Sequence, residues 1–216
     1  MTRKPVNGIA MPIFFTLACL APVGFGTFRM IEIVGKSDWR LQFSAPHIDN
    51  LPLFLHVSAA GLFIVLASLQ ILPGFRFRHP RWHRRMGKIA IPAGLIGALS
   101  GLWISLIHTD ISGPLLYGGR IAASSAWAIF ILLAIRQLRQ HNFKAHGRWM
   151  IRAFSLALPA GTLAFILFPV VLIIGEEGNE LVFEVVQVAA WAVHLLVAEI
   201  LIRRPPRHNP SISAVA

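Results

Sequence analysis

Two short basic segments of this chain combine a histidine with arginines, and each lies between two long apolar runs. They read Arg81-Trp82-His83-Arg84-Arg85-Met86-Gly87-Lys88 and Lys144-Ala145-His146-Gly147-Arg148-Trp149-Met150-Ile151-Arg152. Imidazole ligates metals and haem iron, and guanidinium groups bind carboxylates and phosphates. Both segments are therefore candidate sites for a metal, a haem or an anionic ligand. The alternative is a lipid anchor, in which the tryptophans lie among the headgroups.

Two further histidines, His56 and His194, lie inside apolar runs, where an ionisable side chain is costly. His56 begins a series with Phe63 and Gln70 in which the residues follow at intervals of seven positions. A second series runs at steps of four and three residues through Glu180, Glu184, Gln187, Trp191 and His194. Such spacing places each series on one helix face, which we expect to point into a helix bundle. The histidines there are predicted to be ligands or proton relays, or else hydrogen-bonding groups between helices.

The composition indicates a membrane protein. The 216 residues are 56% hydrophobic and only 13% charged, whereas soluble domains are about 25% charged. The net charge of +11 comes from basic residues in short stretches between apolar runs, which excludes a nucleic-acid-binding role and favours anionic lipid headgroups as partners. The single cysteine, Cys19, excludes an intramolecular disulfide bond.

Six apolar runs are long enough to cross a bilayer of about 30 Å as helices. The sequence therefore predicts an all-α fold, a bundle of six transmembrane helices within residues 1–204, followed by a short disordered tail at residues 205–216. The predicted spans 1 to 6 are Ile9–Val34, Leu51–Leu72, Ile89–Ile107, Gly119–Leu138, Ala153–Ile174 and Leu181–Ile202.

Lysine and arginine are concentrated on alternate sides of these spans. The two basic segments, the N-terminus and the C-terminal tail are rich in positive charge, and the other connections contain few basic residues. The positive-inside rule then predicts a multi-pass protein of the bacterial inner membrane, with both termini and both basic segments in the cytoplasm.

Local signals predict how the helices pack. Gly97 and Gly101 form a GxxxG pair on a face shared with Gly94, so close helix approach is expected there. Pro159 predicts a kink in span 5. Glu199 is predicted to pair with Arg203 one turn later.

Spans 2 to 5 resemble the DUF2306 family of bacterial membrane proteins over roughly residues 50–170. The residues that carry this resemblance are His56, Gln70, Arg78, His83-Arg84, Gly87, His146 and Trp149-Met150-Ile151-Arg152. The resemblance implies a helical membrane protein and no particular reaction.

A fainter resemblance links the chain to cytochrome b561-type bundles, in which histidine pairs on alternate helices hold haem on both sides of the membrane. This resemblance implies a pair between His83 and His146, so the starts of spans 3 and 5 should be neighbours. Span 4 has no histidine to partner His56, so a complete two-haem pattern is absent. The haem-ligand candidates are His56, His83, His146 and His194, and Arg84 and Arg148 would hold propionates or an anionic headgroup.

Three functions remain open from the sequence. The first is a protein with a histidine-lined interior that binds haem b and works with a membrane redox partner or a second copy of itself. The second is a transporter for a small solute or ion, with Glu184, Gln187 and His194 on its pathway. The third is a structural or assembly subunit without catalysis.

Overall fold

The structure is a computed structural model that describes residues 50–72, 74–109, 112–159, 161–163 and 180–203, together with Gly24. All regular secondary structure in these residues is helical. The helices are α1 (Asn50–Ile71), α2 (Phe75–Arg78), α3 (Pro80–Ile107), α4 (Pro114–Arg139), α5 (Phe143–Ala157) and α6 (Glu180–Arg203).

Four helices in the described part of the chain are long and apolar enough to cross a membrane: α1, α3, α4 and α6. They correspond to the predicted spans 2, 3, 4 and 6. The predicted span 1 and the tail lie outside the described residues, Gly24 excepted. The predicted span 5 overlaps α5, whose 15 residues measure about 22 Å. The part of span 5 beyond residue 163 lies outside the described residues. The all-helical class is thus confirmed, and the structure supports four spans of the predicted six.

The helices that contain the predicted spans 3 and 5 begin nine and ten residues before those spans. Helix α3 begins at Pro80 rather than at Ile89, and α5 begins at Phe143 rather than at Ala153. Proline is well suited to the first helical turn, so Pro80 favours the start of α3. At the start of α5, the Asn142 Oδ1 accepts a hydrogen bond of 3.1 Å from the Ala145 amide. Both basic segments are consequently helical, so they are not loops.

Four helices form a closed ring. Helix α1 packs on α3, α3 on α4, α4 on α5, and α5 on α1. Helices α3 and α5 therefore face each other across the ring, each between α1 and α4. Helix α6 packs outside the ring against α5 and α4. We call the end at which α3 and α5 begin and α1, α4 and α6 finish the basic end, because both basic segments lie there.

The core of the ring depends on small residues of α3. Phe63 is fully buried and lies beside Trp127, with 5.4 Å between the ring centroids. A Cβ added to Gly94 would lie 2.7 Å from the Phe63 ring, and one added to Gly97 would lie 3.2 Å from the Ala60 backbone nitrogen. The predicted glycine face of α3 is thus confirmed as the place where α1 approaches closely.

The outward faces of the helices are apolar. Leu99 of α3, Leu132 of α4 and Leu196 of α6 are 56%, 55% and 61% exposed. Water would penalise such a surface, whereas lipid is its natural solvent, so the exposed leucines agree with a membrane-embedded bundle.

Helix α5 ends just before the proline that predicted a kink. Its last helical residue is Ala157, two residues before Pro159. Leu158 is a turn residue, and helical structure resumes at Pro159, where the amides of Gly161 and Thr162 both donate to the Leu158 carbonyl. The predicted interruption of the predicted span 5 therefore occurs at this proline.

Candidate functional site

His83 and His146 occupy equivalent positions in two different helices. Each is the fourth residue of its helix, counted from Pro80 in α3 and from Phe143 in α5. Both therefore lie at the basic end, and the two imidazoles are within electrostatic range of each other. The resemblance to cytochrome b561-type bundles implied that the starts of spans 3 and 5 are neighbours. In the structure α3 and α5 instead face each other across the ring. We call these two residues the histidine pair.

The two imidazoles of the histidine pair are held differently. The His146 Nδ1 lies 2.9 Å from the Ala134 carbonyl oxygen of α4. A carbonyl only accepts, so Nδ1 must carry the hydrogen, and Nε2 of the neutral ring keeps its lone pair. The His83 Nδ1 is buried and has no hydrogen-bond partner in the described part of the chain. His83 thus has an unsatisfied ring atom, and His146 has a fixed ring orientation.

Positive charge surrounds the histidine pair. Arg76 and Arg84 lie within electrostatic range of His83, and the Phe75 ring centroid is 6.5 Å from its imidazole. Arg148, the other predicted anion-binding residue, lines a cleft between α5 and α6. The arrangement around His83 therefore attracts anionic groups, and Arg148 belongs to a different surface.

His56 lies towards the opposite end of the bundle. Its Nδ1 donates to the Gly97 carbonyl oxygen across 2.8 Å, and a Cβ at Gly101 would lie 2.9 Å from the His56 ring. The ring therefore fits against α3 only because glycine occupies position 101. His56 also lies within electrostatic range of Arg120 in α4.

Arg120 connects His56 to Glu184. Arg120 is within electrostatic range of both residues. Glu184 is buried, and its Oε2 accepts a hydrogen bond of 3.3 Å from the Leu116 amide in the first turn of α4. The carboxylate thus satisfies a free amide at the N-terminus of α4, and a side chain at Gly113 would collide with it. We call His56, Arg120 and Glu184 the polar triad.

His194 is separate from both groups. Its Nδ1 donates to the Ala190 carbonyl in its own helix across 2.7 Å, and its Nε2 lies 3.3 Å from the Thr162 hydroxyl. Both ring nitrogens therefore have partners within the protein. The four histidines proposed as ligands thus occupy three places, and of these four only His83 and His146 are within electrostatic range of each other.

A metal site built from protein side chains alone has no support. The described residues contain no group of three or more His, Cys, Asp or Glu side chains that could hold a metal ion.

Two features were missed in the sequence. The first is Arg120, a charged residue inside the predicted span 4, which by that position alone is a functional candidate. The second is the pairing of Arg152 with Glu199, in which Nη2 donates to Oε2 at 3.1 Å and Nε donates to Oε1. The predicted partner Arg203 lies 3.6 Å from Glu199 and is the weaker contact. Nothing in the local pattern relates residues 47 positions apart.

Comparison with known families agrees with this architecture. Residues 53–202 match the family model described as "Predicted membrane protein (DUF2306)". The chain belongs to the DUF2306 family. The match to DUF2306 extends beyond the resemblance at residues 50–170 and includes the histidine pair, the polar triad and nearly all of α6. No curated protein and no solved structure matches the chain.

Proposed function

We propose that this multi-pass membrane protein binds haem b at the basic end, where His83 and His146 would hold it. The observation that carries the proposal is the buried His83 Nδ1, which has no hydrogen-bond partner among the described residues and belongs to a ring within electrostatic range of a second imidazole. A buried polar atom left unpaired costs about 1–3 kcal/mol, so a group that binds the His83 Nδ1 itself would remove this cost.

The remaining residues fit this assignment. The Ala134 carbonyl accepts the His146 Nδ1 hydrogen, which fixes the ring orientation and leaves the Nε2 lone pair for a ligand. Arg84 would bind a propionate, as guanidinium groups do with carboxylates, and Arg76 adds positive charge beside it. Haem would supply one-electron transfer here, with a membrane redox partner exchanging the electron.

The site lies, in this proposal, at the cytoplasmic face of the bacterial inner membrane. The basic end carries both basic segments and, by the positive-inside rule, faces the cytoplasm. In this proposal residues 1–204 would contain six spans, and residues 9–34 and 153–174 would supply the two that the described helices do not.

The polar triad favours a second candidate, a permease for a small solute or ion. Buried ionisable residues inside membrane helices mark transport pathways and proton relays. Arg120 is within electrostatic range of both His56 and Glu184, so the triad includes residues of three helices, α1, α4 and α6. The predicted pathway residue His194 takes no part in it, because both its nitrogens have partners.

An absorption spectrum tests the first proposal directly. The full chain would be expressed with a haem precursor, purified in mild detergent, and measured before and after reduction with dithionite. A haem b protein shows a Soret band that shifts on reduction, and His83→Ala and His146→Ala should each lose most of it. The matched control is His141→Asn, because His141 is exposed and has a φ of 57°, which asparagine tolerates.

Size-exclusion profiles of all variants identify any that fail to fold. A colourless wild-type protein after haem supplementation, or equal loss of the band in His141→Asn, would overturn the haem assignment. If that colourless protein moves protons or ions in vesicles, and Arg120→Gln abolishes the movement, the permease candidate takes its place.

A further inference from the structure

A polar cleft lies at the basic end on the outer side of the ring. It has a volume of about 320 Å³ and lies between the first turns of α5 and the last turns of α6. It is lined chiefly by Arg148, Trp149, Arg152, Glu199, Ile202 and Arg203. We call it the arginine cleft. Neither histidine of the histidine pair lines it, so it is a separate site from the proposed haem position.

The charges in the arginine cleft are unequal. Three guanidinium groups face one carboxylate, and Glu199 is engaged mainly by Arg152 through two hydrogen bonds. Arg203 lies 3.6 Å from the same carboxylate but keeps a side chain that is 81% exposed. Arg148 has no hydrogen-bonded partner among the described residues and is also exposed. Two guanidinium groups are therefore available to an incoming anion.

The polar groups of the cleft suit a small anionic group such as a phosphate. The Arg152 guanidinium lies over the Trp149 ring at 4.5 Å and is fixed there by Glu199. The floor of the cleft is thus rigid, while Arg148 and Arg203 flank it. A forked guanidinium matches two oxygens of a phosphate, and two such groups can bind one phosphate from two sides.

The position of the cleft indicates where the phosphate comes from. Below it, the surface of α6 presents apolar side chains such as Leu196 and Ile200, which are 61% and 45% exposed and suit acyl chains. Trp149 lies at the boundary, where tryptophan is typical of the headgroup level. A phospholipid with its acyl chains along α6 would place its phosphate in the cleft.

We propose that the arginine cleft binds the phosphate of an anionic phospholipid headgroup, with Arg148 and Arg203 as the binding residues. The Glu199 carboxylate repels an anion in the cleft, but its ion pair with Arg152 neutralises most of this negative charge. A free phosphate ion would use the same two arginines, so the two sources have to be separated by experiment. The proposal does not depend on haem.

Thermal unfolding of the purified full chain in neutral detergent tests the proposal. Phosphatidylglycerol, phosphatidylcholine and inorganic phosphate are titrated separately, and tryptophan fluorescence follows unfolding. Phosphatidylglycerol should raise the unfolding temperature in a saturable manner, and phosphatidylcholine should raise it less. In Arg148→Gln/Arg203→Gln the apparent affinity for phosphatidylglycerol should fall about tenfold or more, because two charge-assisted contacts are lost.

The matched control is Arg139→Gln, an exposed arginine at the same end of the bundle but outside the cleft. It should keep the wild-type response. If inorganic phosphate at millimolar concentration reproduces the shift and the double variant abolishes it, the ligand is a free phosphate rather than a lipid. The proposal is overturned if the double variant responds like wild type or if both lipids act equally. If the double variant does not fold, Arg203→Gln alone provides the comparison, because its side chain supports no packing.

Discussion

Arg152 of α5 and Glu199 of α6 form a two-point ion pair between the ring and the helix outside it. Their side chains are 19% and 26% exposed, so the pair is largely shielded from water. Most large side chains along α6 face outward, and few of its residues are buried. This pair is consequently a specific polar contact that fixes the position of α6 against the ring.

Removing the carboxylate of this pair should loosen α6. In Glu199→Gln the Arg152 guanidinium keeps its partly buried position but loses its counter-charge, so we expect a loss of about 1–3 kcal/mol. Unfolding of the purified protein in a denaturing detergent titration measures this loss. The control is Glu180→Gln, an exposed carboxylate on the same helix, which should change stability by less than about 0.5 kcal/mol. Equal effects of the two substitutions would contradict the assigned role.

Gly97 should be intolerant of a single methyl group. Alanine is normally the better helix former by about 1 kcal/mol. At Gly97, however, the added Cβ would lie 2.9 Å from the Trp127 ring and 3.2 Å from the Ala60 backbone nitrogen, and a backbone atom of a packed helix cannot move aside cheaply. Gly97→Ala is therefore expected to destabilise the protein by about 1–3 kcal/mol.

Gly61 is the matched control for this substitution, because a Cβ there meets nothing within 4 Å. Gly61→Ala should be neutral or stabilising in the same unfolding titration. The opposite signs at two glycines of similar helical setting would identify close α1–α3 approach as the cause. Destabilisation of equal size at both positions would show that helix propensity or lipid contact governs the effect instead.

Patterns of spacing predicted the helices and their packed faces, but not their ends. Hydropathy reports where lipid begins, so the predicted spans 3 and 5 started at Ile89 and Ala153, although the helices continue through the basic segments to Pro80 and Phe143. The heptad of His56, Phe63 and Gln70 does pack on α3, since Phe63 is buried against Gly94 and Gln70 lies beside Gly87. Periodicity contains this information because each face repeats along one helix.

Contacts between distant residues could not be predicted in the same manner. The pair between Arg152 and Glu199, and the hydrogen bond from the Leu116 amide to Glu184, join positions 47 and 68 residues apart. Which helix lies beside which depends on the packing of the whole ring. The sequence placed Glu184 on the inward face of α6, but the α4 amide that it meets depends on the tertiary arrangement.

Glu184 should stabilise the start of α4. Its carboxylate accepts from the Leu116 amide and lies close to the helix N-terminus, where negative charge is favourable. Glu184→Ala removes both contributions and leaves Arg120 without its nearby carboxylate, so a loss of about 1–2 kcal/mol is expected. Hydrogen exchange of the α4 amides, followed by mass spectrometry, should show faster exchange around Leu116. Uniform exchange across all helices would indicate general destabilisation rather than loss of this contact.

The orientation in the membrane gives the last prediction. Reporter fusions after Arg81, after Lys144 and at the C-terminus should be active as cytoplasmic reporters, and fusions near Lys36, Ser112 and Gly178 should be active as periplasmic ones. The reason is the charge distribution, because lysine and arginine near the ends of membrane spans are retained in the cytoplasm. A phosphatase fusion is active in the periplasm and a fluorescent-protein fusion in the cytoplasm. At each position one of the two reporters should therefore be active and the other inactive, which serves as the control. Periplasmic activity after Arg81 or Lys144 would place the histidine pair and the arginine cleft on the outer face, where neither a cytoplasmic haem site nor an inner-leaflet headgroup could be assigned to them.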